Sequence, residues 1–347
     1  MRVRLSEKVN GISTNINLLR FLAAIAVIIG HASYVAEGKS DFVENFCNGQ
    51  FNLGGISVAI FFFLSGFYVT KSSLKTKSVL EFMKKRCIRI FPQIWVVVVV
   101  CAFIAGPIWS TFSVGKYFGN ANTYKFLLNG ILIPVHELPG VFQNNIYDAS
   151  VDGPLWTMPV EFAAYCALAV VMIICNNILK GKVEQKVFHI LGCFGSFGIF
   201  VIVNVILQDQ FLTTVFRPVV IFFIGVLYYD YIDKIILNKI VAAIMIVLIV
   251  ILCKTPFVNY ALICFIPYIV VTFGLGTKQI NLNWKVVKCS YEMYLIGFPI
   301  QQMLVDLSGG KMNTISNILI TLPFDIILAF GLFCLIEKFE KSVLNRK

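Results

Sequence analysis

Long apolar runs recur from one end of this chain to the other, and they restrict the possible folds more than any other feature. Of the 347 residues, 58% are hydrophobic and only 14% are charged, whereas about a quarter of the residues in soluble domains are charged. An apolar run of about 20 residues is long enough to cross a bilayer as a helix. The sequence therefore predicts an all-α, polytopic integral membrane protein that is surrounded by membrane lipids.

The runs predict about ten transmembrane helices. They cover residues 16–35, 54–70, 90–108, 155–178, 187–207, 211–229, 235–253, 259–275, 286–306 and 315–336. An even number of spans puts both termini on one side, and 22 of the 29 Lys and Arg residues then lie on that side, against 5 on the other. Because cytoplasmic loops are enriched in positive charge, both termini are predicted to be cytoplasmic. We expect one domain over residues 1–347, with an extracytoplasmic segment at 109–153 within it.

The same rule explains the formal net charge of +11, so the charge does not indicate a nucleic-acid partner. The ten cysteines contain no CxxC pair, which argues against a disulfide framework and against a zinc site. Walker-type, HExxH, GxSxG and Rossmann glycine patterns are all missing from the sequence. An ATPase, a zinc protease and a familiar serine hydrolase are therefore disfavoured, and no metal cofactor is predicted.

The first apolar run carries two ionisable side chains on one face. Arg20 and His31 are eleven residues apart in NLLRFLAAIAVIIGHAS, which on a helix is about 20° around the axis and about 16 Å along it. Ionisable groups at this depth normally face a protein interior or a wet cavity. Snorkelling of Arg20 and a packing hydrogen bond of His31 are the simpler alternatives. The functional interpretation is a cavity with an anion anchor at Arg20 and a proton acceptor at His31, since imidazole titrates near physiological pH.

An acid and a further arginine are predicted at a depth similar to that of His31. Glu161 lies near the start of the fourth run in GPLWTMPVEFAAYCAL, and Arg217 lies near the start of the sixth in VFRPVVIFF. A carboxylate at this depth can orient the His31 imidazole, as in a base–orienter pair, or neutralise Arg217. The residues leave both alternatives open.

The most basic segment, KSSLKTKSVLEFMKKRCIRIFPQIW, is expected to form a loop that leads into the third run. Arg86 and Arg89 are spaced i and i+3, so on a helix they point the same way. With Lys84 and Lys85 they form a candidate polyphosphate site, because guanidinium forks match phosphate oxygens. Plain anchoring by positive charge explains the same residues without a ligand.

Polar side chains in three other runs are candidates for a substrate cavity. Ser65 stands beside Gly66 in FFFLSGF, where small residues also permit close helix packing. The ninth run, SYEMYLIGFPIQQ, contains a proline that interrupts the backbone ladder, which is tolerated next to a cavity or a neighbouring helix. The predicted cavity residues are Ser65, Arg217, Tyr291, Tyr294 and Gln301.

Five motifs in order resemble the membrane acyltransferase 3 family. They are the Arg–ten residues–His stripe, FFFLSGF, RCIRIFP, LWTMPVEF and SYEMYLIGFPI, and the resemblance extends from about residue 15 to 336. It implies a multi-pass enzyme of about ten spans in the bacterial cytoplasmic (inner) membrane. The implied reaction moves acetyl or another acyl group, usually from acetyl-CoA, to sugar hydroxyls of cell-surface polysaccharides or their lipid-linked precursors.

The resemblance also implies roles for individual residues. Arg20 and His31 match the essential pair, Arg86 and Arg89 match a cytoplasmic arginine pair, and Glu161 matches an acid of the fourth span. Many members carry histidine at the position of Gly297. Because this chain has no imidazole there, the resemblance favours His31 as the base.

These expectations combine into one mechanism and one alternative. Arg20, Arg86 and Arg89 would bind the phosphates of acetyl-CoA, and the pantetheine arm would extend toward His31, which would deprotonate a sugar hydroxyl with the help of Glu161. The aromatic residues expected to stack on sugar rings are Trp109, Tyr117, Tyr124 and Trp156. The alternative is a transporter or flippase of lipid-linked glycans, in which the same charges would line a substrate path.

Overall fold

The computed structural model describes residues 3–9, 13–76, 78–147, 149–280 and 284–343, and it is built almost entirely of helices. Helices occupy all ten predicted positions. They are α1 (Thr14–Glu37), α2 (Leu53–Lys75), α3 (Val79–Trp109), α4 (Gly153–Ile178), α5 (Gln185–Leu207), α6 (Gln210–Asp230), α7 (Lys239–Leu252), α8 (Val258–Gly274), α9 (Ser290–Leu307) and α10 (Thr314–Val343). Seven of these, α1–α6 and α10, are long and apolar enough to cross a membrane. The apolar helices α7 and α8 are shorter, with 14 and 17 residues.

Polar residues fix the starts of several long helices. The side chain of Ser13 accepts a hydrogen bond from the Ile16 amide at 3.2 Å, and that of Asn52 accepts one from the Gly55 amide at 2.7 Å. Such caps satisfy backbone donors that have no partner within the helix. They fix where α1 and α2 begin, and therefore where the polar residues of both helices lie.

Helix α3 begins eleven residues before the predicted span, at Val79 rather than at residue 90. The basic segment around Arg86 and Arg89 is therefore helical, and the expected loop is wrong at these positions. Lys and Arg are good helix formers, and the cap at Ser78, whose hydroxyl accepts from the Glu81 amide at 3.4 Å, starts the helix there. The helix continues through Pro92.

The stretch between α3 and α4 folds on itself through short elements. It contains the helices Val114–Phe118 and Ala121–Lys125 and the 3₁₀ turn Phe126–Ile131. Isolated bridges link Ser110 to Val141 and Glu137 to Ser150. The only described strand pair joins Val3–Arg4 to Ile236–Leu237 in antiparallel fashion, elsewhere in the protein.

Antiparallel packing places the starts of α1, α3 and α9, the first half of α4 and the ends of α2 and α10 around one cavity. The ends of α1 and α5 and the starts of α2, α4, α6 and α8 surround a second cavity, farther along the bundle. Arg20 is near the start of α1 and His31 is near its end. The two predicted residues of the stripe therefore belong to different cavities.

Candidate active site

The first cavity has a volume of about 230 Å³, and we call it the basic cavity. It is lined by four basic side chains and two acidic ones, namely Arg20, Lys85, Arg86, Arg89, Glu161 and Glu340. The sequence prediction that Arg86 and Arg89 point the same way is consistent with this placement. Lys84, the third residue of the predicted cluster, is exposed and outside the cavity lining.

Each of the three arginines lies over an aromatic ring. The guanidinium carbon is 5.7 Å from the Tyr68 ring centre for Arg20 and 5.3 Å from the Tyr291 ring centre for Arg89. For Arg86 the corresponding ring is that of Tyr165, at 5.9 Å. Rings of this kind attract and orient cations without occupying all of their hydrogen-bond donors.

The Arg20 side chain has a hydrogen-bond donor without a partner among the described residues. Its Nε is buried and has no hydrogen-bond partner among the described residues. Since an unpaired buried donor is costly, this atom is available to an acceptor that enters the basic cavity. An anion or a carbonyl oxygen has the required chemistry.

Glu161 lies in the basic cavity together with Ser65. The Ser65 hydroxyl donates to Glu161 Oε1 at 2.6 Å, and the Tyr165 hydroxyl donates to the same oxygen. Ser65 and Tyr165 are themselves 2.6 Å apart. The structure therefore places Glu161 in a hydroxyl cluster, and it does not bring Glu161 together with either partner considered from the sequence, His31 or Arg217.

The second cavity has a volume of about 480 Å³, and we call it the His31 cavity. The His31 imidazole packs edge-on against the Phe298 ring, with 5.4 Å between ring centres. Its Nε2 points to the start of α2, 4.0 Å from where a β-carbon on Gly54 would lie. No hydrogen bond engages this ring within the part of the chain that the structure describes. The imidazole is therefore free to accept a proton from a ligand.

Asp41, which the sequence analysis did not select, is an acid whose charge acts on His31. Asp41 is buried, interacts electrostatically with His31, and accepts hydrogen bonds from the amides of Val43, Glu44 and Leu53. Its sequence, SDFVE, has the form of a helix cap followed by an acid and so indicated only the short helix Phe42–Phe46.

Arg217 lies in the His31 cavity, as a buried side chain of α6. Its Nη1 donates to Oδ1 of Asn259 at 2.8 Å, and its Nη2 is 2.9 Å from where a β-carbon on Gly55 would lie. Asn259 was also missed, although a polar residue at the start of the apolar eighth run is the signal that marks it.

Polar residues and one tryptophan also line the His31 cavity. The indole of Trp156 contributes a broad apolar face. The polar lining residues are Glu44, Gln50, Asn52, Asn204, Gln208, Gln210, Thr213 and Thr214. Amides and hydroxyls beside an aromatic face are suited to a polar ligand such as a sugar.

Tyr294 and Val58 line both cavities. The Tyr294 hydroxyl is 2.8 Å from that of Thr157 and 3.1 Å from the carbonyl oxygen of Pro154. A side chain fixed in this way stands between the two spaces. The stripe on α1 thus connects a basic space to an imidazole-bearing space, with Tyr294 at their boundary.

Two residues that were predicted to contact a substrate, Gln301 and Tyr117, line neither cavity. Gln301 is fully buried and donates to the Ile28 carbonyl oxygen at 2.8 Å, so it joins α9 to α1 and lines neither cavity. Tyr117, expected to stack on sugar, is also fully buried and donates to the Ala102 carbonyl oxygen at 2.8 Å. Each side chain donates to a backbone carbonyl group of a neighbouring helix, and each therefore contributes to helix packing. Among the described residues, no three His, Cys, Asp or Glu side chains form a potential metal site.

Comparison with known proteins gives a family match and two similar curated proteins. A family model described as an acyltransferase domain matches residues 13–336. The chain is 32% identical over 178 residues to an O-acetyl transferase of Shigella phage Sf6, with 51% of each chain covered. It is 30% identical over 176 residues to nodulation protein 10 of Rhizobium leguminosarum bv. viciae, covering 48% of this chain and 46% of that protein. The chain thus spans about half the length of the curated relatives it matches, and no solved structure matches it.

Proposed function

Because this chain belongs to the membrane acyltransferase 3 family, we propose that it is an O-acetyltransferase acting on a glycan. It would transfer acetyl from acetyl-CoA to a hydroxyl of a cell-surface polysaccharide or of its lipid-linked sugar precursor. The observation that carries the proposal is the pair of cavities, one basic and one with a free imidazole, which share Tyr294 as a boundary. The name of the Shigella phage Sf6 relative supports acetyl as the transferred group.

The basic cavity fits the donor, which we treat as a substrate. Acetyl-CoA carries its negative charge on phosphates at one end and its thioester at the tip of a thin neutral arm. Arg86 and Arg89 would bind phosphate oxygens by charge-assisted hydrogen bonds, and the unpaired Nε of Arg20 offers a further donor deeper in the cavity. The rise of α1 from Arg20 to His31, about 16 Å, is a distance that an extended arm can bridge.

In the His31 cavity, His31 would act as the general base. Its Nε2 would accept the proton of the acceptor hydroxyl as the hydroxyl oxygen attacks the thioester carbonyl, a role worth about 10²–10⁴ in rate. The negative charge of Asp41 would stabilise the imidazolium that forms, because it acts on His31 from a buried position. The Trp156 indole would pack against the sugar ring.

The second carboxylate of the proposed mechanism is Glu161, which would not act on His31. It lies in the basic cavity, where it accepts from Ser65 and Tyr165. With Tyr291 in the same lining, this cluster forms the wall along which the arm would pass. Its carboxylate would keep these hydroxyls oriented, which makes Glu161 a positioning residue.

The positions of the two cavities also support an orientation in the membrane. We propose ten spans in a bacterial cytoplasmic membrane with both chain ends in the cytoplasm. The basic cavity would open to the cytoplasm, where acetyl-CoA is made, and the His31 cavity would face the extracytoplasmic segment 109–153. Asp148 of this segment lies outside the described residues. The membrane protein would then bring a cytoplasmic acyl group to an acceptor on the other side.

Replacement of His31 by Ala tests the proposal. Membrane vesicles from cells that make the protein and its glycan are given acetyl-labelled acetyl-CoA, and label in the glycan is counted. We expect His31→Ala to lower transfer by at least 10²-fold, whereas His136→Ala, which removes an exposed imidazole, should have no effect. Undiminished transfer by His31→Ala would remove the base assignment. Wild-type protein that moves glycan without labelling it would favour the transporter alternative.

A further inference from the structure

We propose that Arg217 is a catalytic residue that stabilises the oxyanion formed on the thioester carbonyl. The inference rests on the proposed function and assigns a chemical role to a residue that the family match alone leaves without one. It follows from the position of the guanidinium, from its hydrogen bonds and from the charges around it.

Arg217 and His31 approach the same turn of α2. A β-carbon on Gly55 would lie 2.9 Å from Arg217 Nη2, and a β-carbon on Gly54 would lie 4.0 Å from His31 Nε2. Both side chains line the His31 cavity. The two consecutive glycines therefore leave room for a cation and a base to face one space, into which a reacting carbonyl can enter.

Among the described residues, one hydrogen bond holds the guanidinium, and it lies at one side of the group. Nη1 donates to Asn259 at 2.8 Å, and Asn259 is itself 8% exposed. Because the guanidinium is planar, fixing one nitrogen also sets the direction of the others. Nη2 is thereby presented beside Gly55, ahead of any substrate, which is the preorganisation that makes oxyanion stabilisation effective.

Arg217 carries a buried positive charge. It is only 9% exposed, and no carboxylate of the described residues lies within ion-pair distance of it. Arg89, by contrast, interacts electrostatically with Glu292 and Glu340. Since a buried unpaired charge is costly, an arginine kept in this state is suited to a negative charge that exists only during the reaction.

The proposed reaction proceeds through a tetrahedral intermediate. The acceptor oxygen bonds to the carbonyl carbon while His31 takes the hydroxyl proton, and the C=O electron pair moves to the carbonyl oxygen, which binds Arg217. The carbonyl then re-forms, the C–S bond breaks, and the departing thiolate takes the proton from the imidazolium. The products are an acetyl ester and the free thiol of coenzyme A.

The test compares turnover with donor binding in the vesicle assay. Arg217→Gln should lower kcat by about 10²–10³-fold with the KM for acetyl-CoA changed less than twofold. Arg217→Lys, which keeps a charge but not the fork, should recover part of that loss, and Asn259→Ala should lower kcat by about tenfold because the guanidinium is no longer aimed. Lys254→Gln, which removes an exposed cation that is also next to an aromatic ring, should match wild type.

A structural role would lower the stability of Arg217→Gln. If Arg217 is catalytic, thermal unfolding in detergent should not shift to lower temperature, because the change removes a costly buried charge, and acetyl-CoA binding should be unchanged. If Arg217→Gln is unstable, Arg217→Ala is assayed with added guanidinium ion. We expect the added ion to restore part of kcat, and a lack of restoration overturns the inference. A change confined to the acceptor KM overturns it as well and makes Arg217 an acceptor-binding residue. Full activity of Arg217→Gln beside an inactive His31→Ala overturns this inference alone, whereas an active His31→Ala overturns the proposed base.

Discussion

The hydroxyl groups of Tyr294 and Thr157 lie 2.8 Å apart where the basic cavity meets the His31 cavity. Tyr294 is only 7% exposed, although it lines both spaces. Its ring therefore lies at the boundary, and in the proposed mechanism an acyl arm that crosses from one space to the other would have to pass it. The ring would also limit the water that reaches the thioester while no acceptor is bound.

Replacement of Tyr294 by Ala should uncouple hydrolysis from transfer. With the ring removed, the cavities merge, and His31 can activate water as readily as a sugar hydroxyl. We expect the ratio of acetyl-CoA hydrolysis to glycan acetylation to rise by about tenfold or more, a modest part of the range for general base catalysis. Free thiol and labelled glycan, measured in one reaction, give the ratio. Tyr291→Ala is the matched control, since Tyr291 lines only the basic cavity, and an equal rise in both variants would contradict the assignment.

Arg89→Gln should weaken the binding of the donor. A hydrogen bond to a charged group contributes about 1.5–3 kcal/mol, so the KM for acetyl-CoA should rise about ten- to a hundredfold while kcat changes little. The effect should shrink as salt is added, because the interaction is electrostatic. Lys84→Gln removes a cation from the exposed side of the same helix and should leave KM unaltered. Loss of kcat at constant KM would instead place Arg89 in a structural role.

Asp152 makes stability depend on pH. It is 1% exposed, and neither of its carboxylate oxygens has a hydrogen-bond partner among the residues the structure describes. Burial raises its pKa well above the ordinary value of 3.8, so the folded protein holds a proton that the unfolded chain releases. The stability contributed by this proton is complete below pH 3.8 and is lost as pH rises through the folded-state pKa.

Asp152→Asn should therefore raise the melting temperature relative to wild type at neutral and alkaline pH, and the difference should disappear in acid. Thermal unfolding in detergent over a series of pH values measures this trend. Glu137→Gln, an exposed change in the same segment, should show no trend. A constant difference between Asp152→Asn and wild type at every pH would mean that the carboxyl does not change its protonation on unfolding.

The features that the sequence predicted best are those with a high energetic cost. Arg20 and His31 stand out because ionisable groups inside an apolar helix need a reason to be there, but they line two cavities and not the single one that the sequence predicted. The helix positions followed equally well from apolar run length. The start of α3 was missed because positive residues were interpreted as a loop, although they also favour helix.

The partners of each site residue were harder to predict. Glu161 is at the expected depth but faces Ser65, and the direction in which a side chain points depends on how its helix is rotated against distant neighbours. Asp41 was missed for a related reason, since the local sequence explains its capping bonds but not its nearness to His31. Contacts between residues that are distant in the chain determine both the partner of Glu161 and the position of Asp41 near His31.

At Gly66 the backbones of α2 and α6 are in close contact, and a methyl group there should be strongly destabilising. A β-carbon on Gly66 would lie 2.0 Å from the carbonyl oxygen of Phe222, and one on Gly225 would lie 2.3 Å from that of Phe63. Two backbones cannot yield as a flexible side chain can, so Gly66→Ala should force the helices apart and cost about 1–3 kcal/mol. Ser65 would move with its neighbour, which should lower transfer as well.

Thermal unfolding in detergent measures the first effect, and the vesicle assay measures the second. Gly195→Ala is the matched control, because a β-carbon there would meet no described atom of a neighbouring element within 4 Å, and alanine is the better helix former. We expect the Gly195→Ala melting temperature to equal or exceed that of wild type. A Gly66→Ala protein as stable as Gly195→Ala would show that α2 and α6 are not in backbone contact, and the wall that holds Ser65 against Glu161 would then need another explanation.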